Sequence, residues 1–350
     1  MGADRTGPPR TPLVGLRRAG VFGFERSFIQ SRKGTIMERP TRLRRSVLSV
    51  PANRRRMVEK AFQLAADVIM LDLEDSVPVA EKEQARRAVV AALRGGDWRD
   101  RVRACRINGM DTPFAYRDII EVVEAAGGFL DVLVVPKVND PAEIKAVDLL
   151  LTQIEMRMGF GRRIGIEASI ETARGMTLVR QIAESSSRLE ALVFGIADYS
   201  ASLGMRSRGA SGHGEAEEFY PGHRFHFPLS RMVMAAKAAG LDAVDAPFGD
   251  YRDPVGLERS CALSAALGYD GKWAVHPDQI RIINEAYAPS MEDVERARRV
   301  LQAYEEAGRS GAGSLALEGK LIDAASVRIA RVVVERWEAV QCRKEPLTLE

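Results

Sequence analysis

The feature that most constrains this chain is an eightfold alternation of short apolar runs with longer helical patterns. The runs lie at 46–50, 68–73, 103–107, 132–136, 164–169, 192–196, 243–246 and 273–275. Most are β-branched and continuous rather than alternating, as strands buried on both faces should be. Helix-compatible spacing fills 53–66, 81–94, 114–126, 142–158, 177–185, 230–239 and 255–267. Eight such repeats over about 240 residues match a (β/α)8 TIM barrel in the α/β class. A doubly wound open sheet is the alternative, but no G-x-G-x-x-G follows the first strand, which disfavours its dinucleotide-binding version. The expected organisation is a leader at 1–42, a catalytic barrel at 43–290 and a C-terminal helical lid or oligomerisation segment at 291–350.

Composition narrows the function classes. The formal net charge of +3 on 350 residues argues against a dedicated nucleic-acid binder, although the first 36 residues are locally basic. The three cysteines, Cys105, Cys261 and Cys342, are far apart and odd in number. They make neither a disulfide framework nor a metal knuckle, so a reducing, cytoplasmic setting is expected. No apolar run approaches the ~20 residues needed to span a bilayer. The basic leader lacks an apolar h-region and reads as a disordered extension or a start placed too early, with Met37 as the beginning. An organellar transit peptide is the lesser alternative.

In barrel enzymes the active site lies where strands end and loops begin. Two units stand out there, Ile164-Gly-Ile-Glu-Ala-Ser-Ile-Glu171 and Ala191-Leu-Val-Phe-Gly-Ile-Ala-Asp198. Each is an apolar run followed by a carboxylate, so Glu171 and Asp198 are expected to meet at one rim. Two carboxylates with no softer donor suit a hard cation such as Mg²⁺, with Mn²⁺ as a substitute. The other rim residues include Asp72, Glu74, Asp75, Arg106, Asn108, Lys137, Asp245, Asp250 and His276. Arg106 offers a planar fork to a carboxylate or enolate oxygen. Lys137 would be a Schiff-base nucleophile only if desolvated. Arg44, Arg45, Arg54, Arg55 and Arg56 flank the first strand and are expected at the barrel mouth, where they would hold a phosphorylated cofactor. The Gly-rich connection 204–227 carries His213, His223 and His226 and reads as a rim loop, with irregular spacing for zinc. Near the end, 308–313 is a flexible linker, 315–323 a hairpin-like piece turning at Gly319, and 325–339 a helix. A piece this small must dock on the barrel or on a neighbouring subunit.

Taken together, several motifs resemble the citrate lyase beta subunit family of acyl-CoA lyases, within the HpcH/HpaI aldolase superfamily. They are Arg45-Ser-Val-Leu-Ser-Val-Pro51, Leu71-Asp-Leu-Glu-Asp-Ser76, Arg106-Ile-Asn108, Pro136-Lys137 and Ile170-Glu-Thr172. Phe194-Gly-Ile-Ala-Asp-Tyr199, Gly271-Lys-Trp-Ala-Val-His-Pro-Asp-Gln-Ile280 and Gly319-Lys-Leu-Ile-Asp323 follow in the family's order. That family includes malyl-CoA and citramalyl-CoA lyases. The resemblance implies a barrel with a C-terminal lid, assembled as trimers or hexamers, and Mg²⁺ on Glu171 and Asp198. It also implies Arg106 near the 2-keto acid, and Asp323 as a carboxylate acting in a neighbouring subunit's site. The long 204–227 loop looks like the malyl-CoA type, and His276-Pro277 looks like the citrate lyase and citramalyl-CoA branch.

The resulting expectation is a Mg²⁺-dependent lyase. It would split a 3-hydroxyacyl-CoA, with coenzyme A as part of the substrate, into acetyl-CoA or propionyl-CoA and a 2-keto acid such as glyoxylate or pyruvate. The catalytic set is Asp323, Arg106 and Glu74. The substrate-contacting set is Arg106, Asn108, Lys137, Arg45, Pro247 and His276. A malyl-CoA thioesterase on the same fold and a citryl thioester lyase of the citrate lyase beta type are the alternatives. Neither a membrane nor nucleic acid enters this reading.

Overall fold

A computed structural model describes residues 40–205, 224–309 and 311–344. Its centre is a closed barrel of eight parallel strands: β1 (Ser46–Pro51), β2 (Val68–Asp72), β3 (Val102–Arg106), β4 (Val132–Val135), β5 (Gly165–Ile170), β6 (Leu189–Phe194), β7 (Asp242–Asp245) and β8 (Gly271–Ala274). The last strand returns to the first, with Val47 opposite Trp273. Closure leaves the barrel sheet without an edge, and the helices around the barrel cover its outer face.

Side chains alternate across the strands and so sort into two apolar sets. Ile69, Leu71, Cys105, Leu133, Ile166, Ala168 and Phe194 face outward into the layer shared with the helices. Val47, Met70, Ala104, Val134, Val193, Val244 and Trp273 fill the interior. The interior is therefore a packed core, and chemistry is confined to the two ends of the barrel.

The helices are α1 (Arg55–Ala61), α2 (Lys82–Gly95), α3 (Ala115–Ala126), α4 (Pro141–Met158), α5 (Ala173–Thr177), α6 (Val179–Ala183), α7 (Ile196–Ser202), α8 (His226–Ala238), α9 (Pro254–Leu267) and α10 (Gln279–Ala286). Two of these helices and one strand differ from the sequence expectation in ways that matter for the site. The helix expected at 53–66 stops at Ala61, because the chain tightens into turns where Gln63 N–H donates to the Lys60 carbonyl and Leu64 N–H to that of Ala61. The helix expected at 177–185 begins earlier and splits in two. Thr172 caps α5 by accepting from Gly175 N–H, and a Cβ at Gly175 would overlap the Val138 carbonyl. The sixth strand starts and ends earlier than expected, so Gly195 opens α7 and Asp198 sits in a helical first turn rather than a loop. The short helices α7 and α10 had no counterpart in the sequence reading.

The N-terminal end of the barrel is closed by Arg44. Its guanidinium donates to Glu167 (2.7 Å), Asp242 (2.8 Å) and Glu190, all drawn from different strands or their edges. Arg45 lies at this same end, where its N–H and guanidinium bind Asp67 just before β2 (2.9 and 2.8 Å). Both residues precede β1, so a parallel strand carries them to the bottom and not to the mouth. The expectation of Arg45 as a substrate-contacting residue at the rim is corrected accordingly; Arg54, Arg55 and Arg56, which follow β1, do reach the top.

The C-terminal segment comprises α11 (Met291–Arg309), a hairpin of β9 (Leu315–Leu317) and β10 (Lys320–Ile322), and α12 (Ala324–Lys344). Gly319 turns the hairpin with φ of +73°, a conformation open to glycine. Ala297, Val300, Ile322 and Ala330 form a small apolar cluster of its own. The later half of α12 docks at the N-terminal end of the barrel: Arg336 donates to Asp270 (2.7 Å), and Val332, Arg336 and Val340 share a cavity of about 340 Å³ with Arg42, Arg44 and Arg45. Within this chain the segment is thus not a lid over the opposite, carboxylate-bearing rim. Among the described residues no helix is long and apolar enough to cross a membrane.

Candidate active site

Four strand ends converge to make the site. Asp72 closes β2, Arg106 closes β3, Lys137 follows β4, and Glu171 follows β5; Asp198 joins them from the first turn of α7. Asp72 and Arg106 are register partners in adjacent parallel strands, so their side chains rise together on the inner face.

Arg106 is the cationic centre. Its Nε and Nη2 donate to the two oxygens of Asp72 (2.6 and 2.7 Å), and its Nη1 lies 2.9 Å from Glu74 Oε2. The guanidinium also rests over the Trp273 ring, 5.3 Å from its centroid. Burial favours the neutral form of Arg106, but Asp72, Glu74 and Glu171 outweigh it and raise the pKa. Asp72 is fully buried; burial alone would raise its pKa, and Arg106 and Ser76 instead hold it low.

Lys137 is held in the left-handed region at φ +51°. That turn aims two donors at once. Its backbone N–H meets Glu171 Oε1 (2.7 Å), while its ammonium meets Glu74 and Asp75 (3.0 Å) and lies 3.9 Å from Asp198. Thr172 and Asn139 brace the turn, with Asn139 Nδ2 donating to the Lys137 carbonyl (2.8 Å) and the Thr172 hydroxyl to Asn139 (2.5 Å). Burial works against the charge on Lys137, but Glu74, Asp75 and Asp198 raise its pKa. A charged, ion-paired amine is a poor nucleophile, which counts against the Schiff-base role.

Glu171 is 4% exposed, and burial first, then Glu74 and Asp198, push its carboxyl up to about 7. A Cβ at Gly195 would overlap this carboxylate, so glycine opens the room it occupies. Asp198 is more open, at 42% side-chain exposure. The pair joins one buried and one accessible hard oxygen donor, a set suited to a divalent cation that completes its shell with water and substrate oxygens. Among the described residues no group of three or more His, Cys, Asp or Glu side chains is placed to hold a metal. Any ion here would rest on these two.

The remaining expected residues are dispersed. Asn108 is buried, its side-chain amide and backbone N–H both donating to Asp118 on α3 (2.5 and 2.9 Å). Pro247 follows β7 and is half-buried. His276 follows β8 and stacks on Tyr251 with ring centroids 4.6 Å apart. Asp245, expected on the rim, instead pairs with Lys272 (2.6 Å), both fully buried. Asp323 caps α12, accepting from Ala325 N–H (2.9 Å) and Ser326 N–H (3.0 Å). His213 and His223 lie outside the described residues, and His226 begins α8.

Two contributors escaped the sequence reading. Lys82 donates to the Leu73 and Glu74 carbonyls (2.9 and 3.0 Å) and so fixes the acidic loop from the first turn of α2. Trp273 floors the Arg106 site. Its strand position gave the only signal, a large ring at an inward-facing step.

A closed parallel barrel with a polar, carboxylate-rich rim at its C-terminal face defines the class as a (β/α)8-barrel enzyme. The model of the HpcH/HpaI aldolase/citrate lyase family matches residues 45–277. The L-malyl-CoA/beta-methylmalyl-CoA lyase of Rhodobacter capsulatus is 42% identical over 307 residues, covering 85% of this chain and 96% of that protein. The citrate lyase subunit beta of Escherichia coli is 34% identical, covering 89% and 99%. Among solved structures, protein CitE from Mycobacterium tuberculosis in complex with magnesium, acetoacetate and coenzyme A aligns with a TM-score of 0.65 at 29% identity, covering 84% and 97%. The chain belongs to the HpcH/HpaI aldolase/citrate lyase family.

Proposed function

We propose that this carbon–carbon lyase cleaves a 3-hydroxyacyl-CoA of the malyl-CoA or β-methylmalyl-CoA type, giving acetyl-CoA or propionyl-CoA and glyoxylate. The observation that carries this reading is the placement of one clamped arginine beside two convergent carboxylates, in a chain 42% identical to the R. capsulatus L-malyl-CoA/beta-methylmalyl-CoA lyase. Glu171 and Asp198 are the residues that would hold Mg²⁺. When bound, Mg²⁺ supplies Lewis acidity and a template for the keto acid's carboxylate and oxygen.

In the cleavage direction the bond between the α and β carbons breaks. The β-hydroxyl loses its proton and its carbon becomes the carbonyl of glyoxylate; the bonding pair passes to the α carbon as a thioester enolate, which then takes a proton. Arg106 donates two of its five N–H bonds to Asp72, and its Nη1 is ion-paired with Glu74 without a hydrogen bond, so donors remain for the keto acid's oxygens. Glu74 acts by holding Arg106 and Lys137 in place. Lys137, Pro247 and His276 are assigned to the approach of the acyl-CoA, while Asn108, buried against Asp118, supports the rim from below. Asp323 is assigned the proton exchange at the α carbon, in the site of a neighbouring subunit within a trimer or hexamer.

The test is incubation of the purified protein with Mg²⁺ and a panel of acyl-CoAs, with keto acids read by mass spectrometry. Glyoxylate from malyl-CoA and β-methylmalyl-CoA is the expected result. Pyruvate from citramalyl-CoA alone, or oxaloacetate from a citryl thioester alone, would replace this assignment with another branch of the family.

A further inference from the structure

Asp72 takes no part in the reaction as assigned above, yet it is the most heavily committed carboxylate on the rim. Its oxygens accept Arg106 Nε (2.6 Å) and Nη2 (2.7 Å), Glu74 N–H (3.0 Å), Ser76 N–H (3.4 Å) and the Ser76 hydroxyl. Its exposure is nil. A carboxylate surrounded this way cannot turn to follow a moving guanidinium, so the guanidinium must follow it. The two-point contact fixes the plane of the Arg106 fork, since rotating it would break both bonds together. From the opposite wall Trp273 presents its ring face 5.3 Å from the guanidinium carbon. Its own Nε1 is buried with no hydrogen-bond partner among the described residues. The ring is therefore placed to support the arginine rather than to satisfy its indole N–H.

We infer that Asp72, with the Trp273 ring as a backing, is a positioning residue. It locks Arg106 so that the N–H bonds not donated to Asp72 face the carbon–oxygen bond that changes charge during cleavage. The inference rests on the reading of Arg106 as the group that meets the keto acid. It goes beyond that reading by assigning rate to a residue that touches no substrate. The competing role is purely structural: Asp72 would only staple the 73–76 loop to the end of β2 through Glu74 and Ser76.

Two measurements separate these roles. The first is a double-mutant cycle. Asp72→Asn preserves shape and one acceptor but points an amide N–H at the fork. In the native background we expect kcat to fall by about 10²-fold, the scale of a 1 Å misplacement, with KM changed much less. In an Arg106→Lys background, which has no fork to orient, the same change should cost under about threefold, as expected when one residue acts through another. Equal losses in both backgrounds, or an unchanged kcat in the first, would overturn the proposal. The second measurement needs no turnover. In ¹⁵N spectra the Arg106 Nε–H, assigned by its absence from Arg106→Lys, should exchange slowly in the native protein and rapidly in Asp72→Asn. Slow exchange in both would show that the fork stays locked without Asp72 and sink the idea. Trp273→Phe, which keeps the ring face and removes the indole N–H, should retain slow exchange and most of kcat. If the native enzyme fails to cleave malyl-CoA while the exchange difference holds, the functional reading fails and the lock stands.

Discussion

Lys137 shows how much a single residue can settle. Its positive φ is costly for a side chain with a Cβ, and it persists because Asn139 and Thr172 hold the turn. What the turn gains is a backbone donor on Glu171 and an ammonium among three acids. Because those acids raise its pKa, borohydride added during turnover should leave no substrate adduct on Lys137, read by intact-protein mass, whereas EDTA should abolish activity. On the proposed metal site, Glu171→Gln and Asp198→Asn would each remove a ligand oxygen and a compensating charge. Both variants should melt like the parent, lose nearly all turnover and bind Mn²⁺ more weakly in a spin-resonance titration; full activity with unaltered cation affinity would rule out this pair. The carboxylates, Arg106 and Lys137 were legible in the sequence because each follows directly on an apolar run. Arg45 was not, because proximity to a strand says nothing until the strand's direction is applied: residues before β1 go to the bottom, residues after it to the top. Trp273 and Lys82 were hidden because their roles depend on what other strands and loops bring to them.

At the scale of elements, the β6–α7 turn is the most constrained joint. Gly195 ends the strand, starts the helix and leaves room for Glu171. Gly195→Ala must displace the Glu171 carboxylate, and kcat/KM should drop by about 10²-fold with secondary structure retained by circular dichroism. The strands themselves were readable from apolar, β-branched composition. The helices α7 and α10 were not, because seven and eight residues offer too few turns for a periodic pattern. The early start of α5 was likewise hidden, since Gly175 packs closely against the Val138 carbonyl, a contact between segments far apart in sequence. Asp131, just before β4, ties together strand starts through Arg103, Arg162 and Arg42. Burial would raise its pKa, but the arginine hydrogen bonds prevail and bring it from 3.8 to about 2. A carboxylate depressed on folding stabilises above its unfolded pKa and loses that contribution as pH falls from about 4 to about 2. Asp131→Asn should therefore cost roughly 2 kcal/mol near neutral pH. In urea melts the gap from the parent should close below about pH 4.

For the whole molecule, the separation between the rim and the C-terminal segment is the decisive fact. The later half of α12 lies against the bottom of its own barrel, while Glu171 and Asp198 sit at the top. Asp323 caps α12 in this chain, a role asparagine fills about as well, so Asp323→Asn should leave stability nearly unchanged if capping is its only role. Loss of a general acid or base costs about 10²–10⁴-fold in rate. Asp323→Asn should show the larger, kinetic effect. Mixed oligomers of Asp323→Asn and Glu171→Gln subunits, each inactive alone, should regain activity if the acid works across subunits; verified mixing without recovery would confine Asp323 to its capping role or to its own subunit. The most direct measurement for the account is the product balance of the native protein on malyl-CoA with Mg²⁺. Cleavage between the α and β carbons predicts one acetyl-CoA for each glyoxylate, with no free malate. Malate and free coenzyme A appearing together without glyoxylate would contradict it and mark a thioesterase.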